Sequence, residues 1–372
     1  MQTRVHRLSP TRRQAIRALG AAAAGLGPAF AARYTLAQSG FTPPPAGAPV
    51  APWTPSASAP AVPSWNTELK HLAPNVFAYT QEGGPGKFHL ENAGLIVGTD
   101  SMMAIDTLRA PLLTKAFIAA ARKAGANRPI TRVINTHHHG DHVAGNQFFL
   151  PCDIVAHEFC RGEVLKMAAA VPAGDRIPRR EGWSEGTEDR KFVAPTTTFT
   201  DRLSYDVGNI KVELIHLGPA HTWGDIVVHL PAQRILFAGD IFFNYVTPFG
   251  QTSHISRWIE VCGTIAKMGV DTIVPGHGPV GTTRELQVMV DYYVTLREEV
   301  RKRHAARMTP GRAAADIRME RWRNWLVPQE LVRSVVRLYA EIDGKLIPGE
   351  LVDDNRAAFA EYNAIKAGQQ NG

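Results

Sequence analysis

"ITRVINTHHHGDHVAGN", residues 130–146, carries the chain from a β-branched run straight into four histidines and an aspartate within positions 137–142. The first seven residues have strand chemistry. If the backbone stays extended through 137–139, His137 and His139 face one way and His138 the other. Gly140 then permits a turn, so Asp141 and His142 can serve a second position beside the first. Surface loops also collect polar residues, so this stretch acquires meaning only if partners come from elsewhere in the chain.

Three later stretches offer them. "LGPAHTWGD" (217–225) places His221 in a Gly/Pro turn between two strands. "ILFAGD" (235–240) delivers Asp240 just past the end of a hydrophobic strand, and "TIVPGHG" (272–278) does the same for His277. Strand ends and turns are held rigidly by their sheet, which suits precise ligand placement. Imidazole nitrogens and carboxylate oxygens are the ligands zinc prefers, with one position left for water in a catalytic site. One short loop can therefore feed two neighbouring ions.

The HxHxDH motif at 137–142, His221 in "GPAHTWGD", Asp240 in "FAGD" and His277 in "PGHG" together resemble the metallo-β-lactamase-fold metallohydrolases, over residues from about 65 to 300. The resemblance implies an α/β fold, an αββα sandwich with the site at one edge where two β-sheets meet. It implies two zinc ions, although imidazole and carboxylate also suit iron or manganese. His137, His139 and His221 would hold the first, Asp141, His142 and His277 the second, and Asp240 would bridge them. The implied reaction is attack on an ester, lactone, thioester or amide carbonyl by a metal-bridging hydroxide, with Asp141 orienting the nucleophile or accepting its proton.

Departures from the family's branches narrow this expectation. Two zinc β-lactamase groups carry cysteine where this chain has Asp240, and a third carries serine. Asp240 instead matches the thioesterase and lactonase branches, leaving β-lactamase activity as an alternative. A mononuclear iron persulfide dioxygenase, using the positions of His137, His221 and Asp240, is the other. Some lactonases place a catalytic tyrosine three residues after the bridging aspartate, where this chain has Phe243; Asn244 and Tyr245 follow as further candidates. Asp106 in "AIDT" resembles a structural aspartate of the family. His138, His216, His229 and His254 read as packed or hydrogen-bonded histidines.

The formal charge of +7 over 372 residues belongs to the N-terminus. Residues 1–37 hold six arginines and no Lys, Asp or Glu, leaving 35 basic against 34 acidic residues in the remainder. That near balance gives no electrostatic case for nucleic acid; the implied partner is a small-molecule substrate. "SPTRRQAIRALGAAAAGLGPAFAARYTLAQ" resembles a twin-arginine export signal, with Arg12-Arg13 and a cleavage site near Ala37, which implies a periplasmic or otherwise exported protein. Its apolar run falls short of the ~20 residues of a membrane span and is interrupted by Pro28, so no span is expected in the mature protein.

Four parts are expected: the signal at 1–37, a Pro/Ala-rich linker at 38–64 containing Trp53, a catalytic domain at 65–305, and a helical C-terminal extension at 306–372. Strands are predicted at "VFAYT", "AGLIVG", "SMMAIDT", "ITRVINT", "CDIVAH", "RLSYDVG", "IKVELIHLG", "DIVVHLP", "RILFAGD" and "VDTIVPGHG". Helices are predicted at "PLLTKAFIAAARKA", "EFCRGEVLKMAAA", Ile255–Met268, and near 283–305, 328–342 and 353–367. Residues 171–195, with Trp183, form a Pro/Gly/charged excursion that either closes over substrate or anchors to the surface. The apolar spacing of the C-terminal helices fits packing on the domain or on a second copy, giving a homodimer. Cys152 and Cys160 either pair or remain buried thiols, and Cys262 reads as core.

Overall fold

The computed structural model describes residues 59–170, 191–351 and 355–370. The expected export signal, most of the expected linker with Trp53, and most of the 171–195 excursion with Trp183 lie outside the described residues.

Seven strands form the first sheet in sequence order: β1 Glu68–Ala73, β2 Val76–Thr80, β3 Ala93–Val97, β4 Met102–Ile105, β5 Ile130–Ile134, β6 Asp153–His157 and β7 Thr197–Phe199. The first four make an antiparallel meander, and β4 to β7 run parallel. Parallel neighbours need a crossover. Helix α1, Pro111–Ala124, supplies it between β4 and β5, and α3, Glu158–Ala170, between β6 and β7. The β5–β6 crossover contains the histidine loop, with a one-turn helix α2 at Gly140–Val143.

The second sheet contains β8 Arg202–Val207, β9 Ile210–Ile215, β10 Val227–Leu230, β11 Ile235–Phe243 and β12 Thr272–His277, in the order β12-β11-β10-β9-β8. Only β12 is parallel to its neighbour, reached through α4, Ile255–Ile265. Among the described residues, α-helices α5 Thr283–Ala305, α6 Pro310–Asp316, α7 Leu331–Ile342 and α8 Asn355–Gln370 follow. Helix α5 starts where it does because Thr282 and Glu285 form a reciprocal capping box.

Side-chain alternation assigns the layers. Ile96, Met103, Ile105, Ile134 and Val155 of the first sheet meet Val212, Leu214, Val228, Phe237 and Val274 of the second. The intervening residues Leu95, Ala104, Val133 and Ile154 face outward and pack on Phe117 and Ala121 of α1. On the far side, Leu236 and Phe242 of β11 bury against Trp258 of α4, Tyr293 and Leu296 of α5, and Val335 and Leu338 of α7. Strands covered on both faces read as unbroken apolar runs, as these do. The result is the expected αββα sandwich. The apolar face of α7 is buried within the chain's own core.

Strand β1, strand β7 and helix α6 were not predicted. "ELKHLA" is mostly polar and lies at a sheet edge, β7 spans three residues, and α6 is a short Ala-rich turn, so none carries a strong periodicity. Cys152, Cys160 and Cys262 are all free and buried, and burial pushes the Cys152 thiol up to about 11. No helix among the described residues is long and apolar enough to cross a membrane.

Candidate metal centre

All seven residues singled out in the sequence converge at one place. Beyond β5 the chain bends at 136–137, and His139, extended at φ −63° and ψ 146°, precedes the first residue of α2. The helical turn then carries Asp141 and His142 round to the neighbouring position. His221 enters from the β9–β10 connection and His277 is the last residue of β12. Asp240 differs from expectation: it lies within β11, which runs on to Phe243, at a register irregularity around Gly239. Gly239 adopts φ +51°, and the apolar "IFF" that follows sustains the strand beyond the aspartate.

Two groups of potential ligands result. His137, His139, His221 and Asp240 form one, and Asp141, His142 and His277 the other, with the ligand atoms of each within 4.8 Å of one another. Asp240 stands between them. Its Oδ2 lies 3.2 Å from His221 Nε2 and 3.8 Å from His137 Nε2, while its Oδ1 lies 3.1 Å from His142 Nε2. Ligands around a tetrahedral zinc at ~2.0–2.1 Å stand about 3.3 Å apart, so these separations suit a shared ion better than direct contact. Buried His137 Nε2, His142 Nε2, His277 Nε2 and Asp240 Oδ1 have no hydrogen-bond partner, although their neighbours are this close. Desolvated lone pairs without partners are costly, and a divalent cation would satisfy them. The donor set fits a metal.

The remaining polar atoms of His137, His139 and His142 are tied down, whereas His221 Nδ1 and His277 Nδ1 have no hydrogen-bond partner among the described residues. Asp106, at φ +57°, accepts from the Thr136 backbone N–H at 2.8 Å and hydroxyl at 2.7 Å, and from His142 Nδ1 at 2.8 Å. With the Thr136 hydroxyl proton committed to Asp106, its oxygen accepts from His137 Nδ1 at 3.1 Å. His139 Nε2 pairs with the Thr252 hydroxyl at 3.2 Å, which leaves Nδ1 toward His221 Nε2, 2.7 Å away. Each bond fixes a tautomer and directs the other ring nitrogen inward.

Burial holds the imidazoles of His137, His139 and His221 neutral, with His139 at about 4 and His221 at about 3. Burial also opposes charge at His142 and His277, but there the carboxylates win. Asp240, Asp106 and Asp141 hold His142 well above its usual value, and Asp240 with Asp141 raises His277 to about 9. Burial works against ionisation of Asp141 and Asp240 too; His142 outweighs it in both, aided by Arg109 at Asp141 and His277 at Asp240, keeping both ionised.

The open side of the cluster is at Asp141, whose side chain is 22% exposed while His142, His221 and His277 are fully buried. Arg109 places one guanidinium nitrogen 3.1 Å from Asp141 Oδ2 and donates through Nε to the buried Glu91. Phe88 lies under that guanidinium at 5.3 Å and stacks on His89, which contacts Phe249. Phe243 stacks almost parallel on His277, with ring centres 5.2 Å apart. Thus the position where lactonases carry tyrosine here supports a ligand.

The side chains of Asn244 and Tyr245 are not directed at the cluster, although Asn244 N donates to His277 O at 3.0 Å. Asn244 donates through Nδ2 to Pro279 O, and both residues line a separate cavity of about 500 Å³ with Lys70, His71 and Arg284. His138 is buried edge-on to His139 and belongs to neither group. His216, His229 and His254 pair with Asp225 O, Glu213 and Glu341, outside the cluster.

Several residues around the centre went unnoticed in the sequence: Thr136, Thr252, Glu91, Arg109, Asn92 and Gly276. Asn92 donates to the carbonyls of Pro275 and Gly278 and so staples the turn bearing His277. Gly276 lies so close to Asp240 that an added Cβ would stand 1.8 Å from Oδ1. Only the "PGHG" glycine had a local signal; the other contacts join distant stretches.

Comparison with known proteins agrees with this geometry. A linear primary-alkylsulfatase from Pseudomonas sp. is 25% identical over 225 residues, 51% of this chain and 42% of that protein. The chain therefore matches less than half the length of that relative. A metallo-beta-lactamase type 2 from Bacillus cereus is 26% identical over 219 residues, 57% of this chain and 77% of its own. Among solved structures, a metallo-beta-lactamase from Pontibacter korlensis superposes with a TM-score of 0.50 at 19% identity, covering 61% of this chain and 98% of that one, a likeness of fold. The family model of the metallo-beta-lactamase superfamily matches residues 86–277. Since that match takes in more than half of the chain and closes on His277, the last of the seven converging residues, the chain belongs to the metallo-beta-lactamase superfamily.

Proposed function

We propose that the chain is an exported, dinuclear zinc-dependent hydrolase of small molecules, acting on an ester, lactone, thioester or amide carbonyl. The observation that carries the reading is Asp240, whose carboxylate reaches both ligand groups: Oδ2 lies 3.2 Å from His221 Nε2 and 3.5 Å from His277 Nε2, and Oδ1 lies 3.1 Å from His142 Nε2. A single-ion site has no use for that arrangement or for a second cluster of Asp141, His142 and His277 beside it. Bound zinc would lower the pKa of water toward neutrality and stabilise the developing oxyanion.

The protein's own residues determine the rest. His142, Arg109 and His277 hold Asp141 ionised against the cost of burial. Asp141 stands on the open side of the cluster, where its carboxylate would orient the nucleophile or accept its proton. Arg109 fixes the Asp141 carboxylate while Glu91 fixes Arg109. Phe88, His89, Phe243 and Phe249 line the second ligand group with aromatic surface. Such a wall restricts bulk water and favours substrates with an apolar portion near the reacting centre.

Metal analysis of protein purified without added metal tests the reading, followed by lactone, thioester, aryl ester, alkyl sulfate and β-lactam substrates. About two zinc ions per chain and turnover of a carbonyl substrate are expected. One iron per chain with oxygen uptake on a persulfide would overturn the reading in favour of the dioxygenase. Preferential β-lactam turnover would move it to the β-lactamase branch. Export rests on Arg12-Arg13, and replacing both with lysine is expected to leave the protein in the cytoplasm upon cell fractionation.

A further inference from the structure

We propose that Arg337, on the C-terminal helix α7, is a positioning residue for the first ligand group and acts through Thr252. The proposal rests on the reading of His139 as a metal ligand. The intermediary is the loop at 244–254, between β11 and α4.

On its inner side this loop touches the centre. The Thr252 hydroxyl pairs with His139 Nε2 at 3.2 Å and lies 3.4 Å from His221 O, so one side chain contacts two members of the first group. On its outer side the loop is held by residues 322–350. Leu326 N donates to Tyr245 O at 2.9 Å and Thr247 N donates to Leu326 O at 3.0 Å. Gly250 is pressed against Ser334, where an added Cβ would stand 2.5 Å from Oγ. Arg337 donates through Nε to Ser253 O, through one terminal nitrogen to Thr252 O at 3.4 Å, and through the other to Glu350 O at 2.9 Å.

Arg337 is 1% exposed, and although burial lowers its pKa to about 10 the guanidinium stays charged at neutral pH. Burying a cation for packing alone is wasteful, because an apolar side chain of similar volume is often as stable or more so. What a guanidinium adds is a planar fork that sets the positions of several carbonyls together. Here the fork fixes the backbone on both sides of the 252–253 peptide, and with it the direction of the Thr252 hydroxyl. The ligand His139 and residue 337 are thereby linked across the domain.

The test uses metal-free and zinc-loaded full-length protein carrying Arg337→Met, Arg337→Lys, Thr252→Val and the double variant Arg337→Met/Thr252→Val. Dissociation constants of both ions are read by chelator competition, alongside thermal melting. Loss of a hydrogen-bond partner of a ligating histidine costs ~10–100-fold in metal affinity. Thr252→Val is expected to weaken the first ion in that range, and Arg337→Met to weaken the same ion about tenfold while sparing the second. The double variant is expected to bind no more weakly than Thr252→Val alone, since the two residues act in series. Multiplying effects, or a lowered melting temperature with both affinities unchanged, would overturn the proposal and reduce Arg337 to a packing residue. If Arg337→Met does not fold, Arg337→Lys, which keeps the charge but not the fork, carries the same cycle with a smaller expected loss. A wild-type chain that takes up no zinc would instead overturn the ligand reading, and this one with it.

Discussion

Acidification should empty the two ligand groups unequally. In the metal-free protein His277 is raised to about 9 by Asp240 and Asp141 against the pull of burial, so at neutral pH it carries a proton. That proton occupies the lone pair a metal requires and must leave before binding. Below pH 9, affinity at the Asp141–His142–His277 group therefore falls about tenfold per pH unit, ~1.4 kcal/mol each. From pH 9 to pH 6 the loss is on the order of 1000-fold. His142, also held well above its usual value, steepens the fall further.

At the first group the same loss begins only at much lower pH. His139 at about 4 and His221 at about 3 are already neutral throughout pH 6–9, so affinity there stays flat until the solution approaches those values. Zinc titrations of metal-free protein at pH 6, 7, 8 and 9 should thus resolve one ion whose affinity is level and one whose affinity climbs with pH. Cobalt, which reports its ligands by colour, assigns each ion, and His277→Ala should remove the share of the slope that His277 contributes, leaving only that of His142. Two ions with parallel pH dependence, or a slope left unchanged by His277→Ala, would refute the electrostatic account.

Other perturbations act on single contacts. Gly276→Ala should drive a Cβ into Asp240, 1.8 Å from Oδ1 and 2.8 Å from its backbone nitrogen, and lower metal content by at least one ion per chain; full occupancy on elemental analysis would show that the turn yields freely. Asp106→Asn replaces one acceptor oxygen with a donor opposite Thr136 and His142, and an affinity loss of ~10–100-fold is expected in chelator competition. Asp141→Ala and His139→Ala should each abolish hydrolysis while far-ultraviolet circular dichroism stays that of the wild type. Unchanged turnover in either would remove that residue from the machinery.

The seven converging residues were legible because each stands in a short stretch with its own chemistry: a strand, then a histidine, an aspartate or a glycine-flanked turn. The residues that orient them were not. Thr252 contacts His139 across 113 positions, and Arg337 reaches Thr252 across 85. No local pattern marks a threonine or arginine for such a role. Asn244 and Tyr245 drew attention through nearness to Asp240, but β11 continues to Phe243 and its last side chain stacks on His277, leaving Asn244 to bond Pro279 beyond the strand. Sequence proximity is a weak guide past a strand end, because one residue changes the facing direction.

The density of histidine at 137–142 follows from the same geometry. A single crossover has to feed two adjacent ligand groups, and it does so by changing backbone type at Gly140, from extended to helical. Positions 137 and 139 fall in one group, while His138 is buried without joining either. The helical turn sends 141 and 142 to the other. Both halves then hang from Asp106, which holds His137 through Thr136 and His142 directly. One carboxylate therefore orients a residue of each group, and a shift at Asp106 must disturb both groups together, whereas a shift at Thr252 reaches only the first.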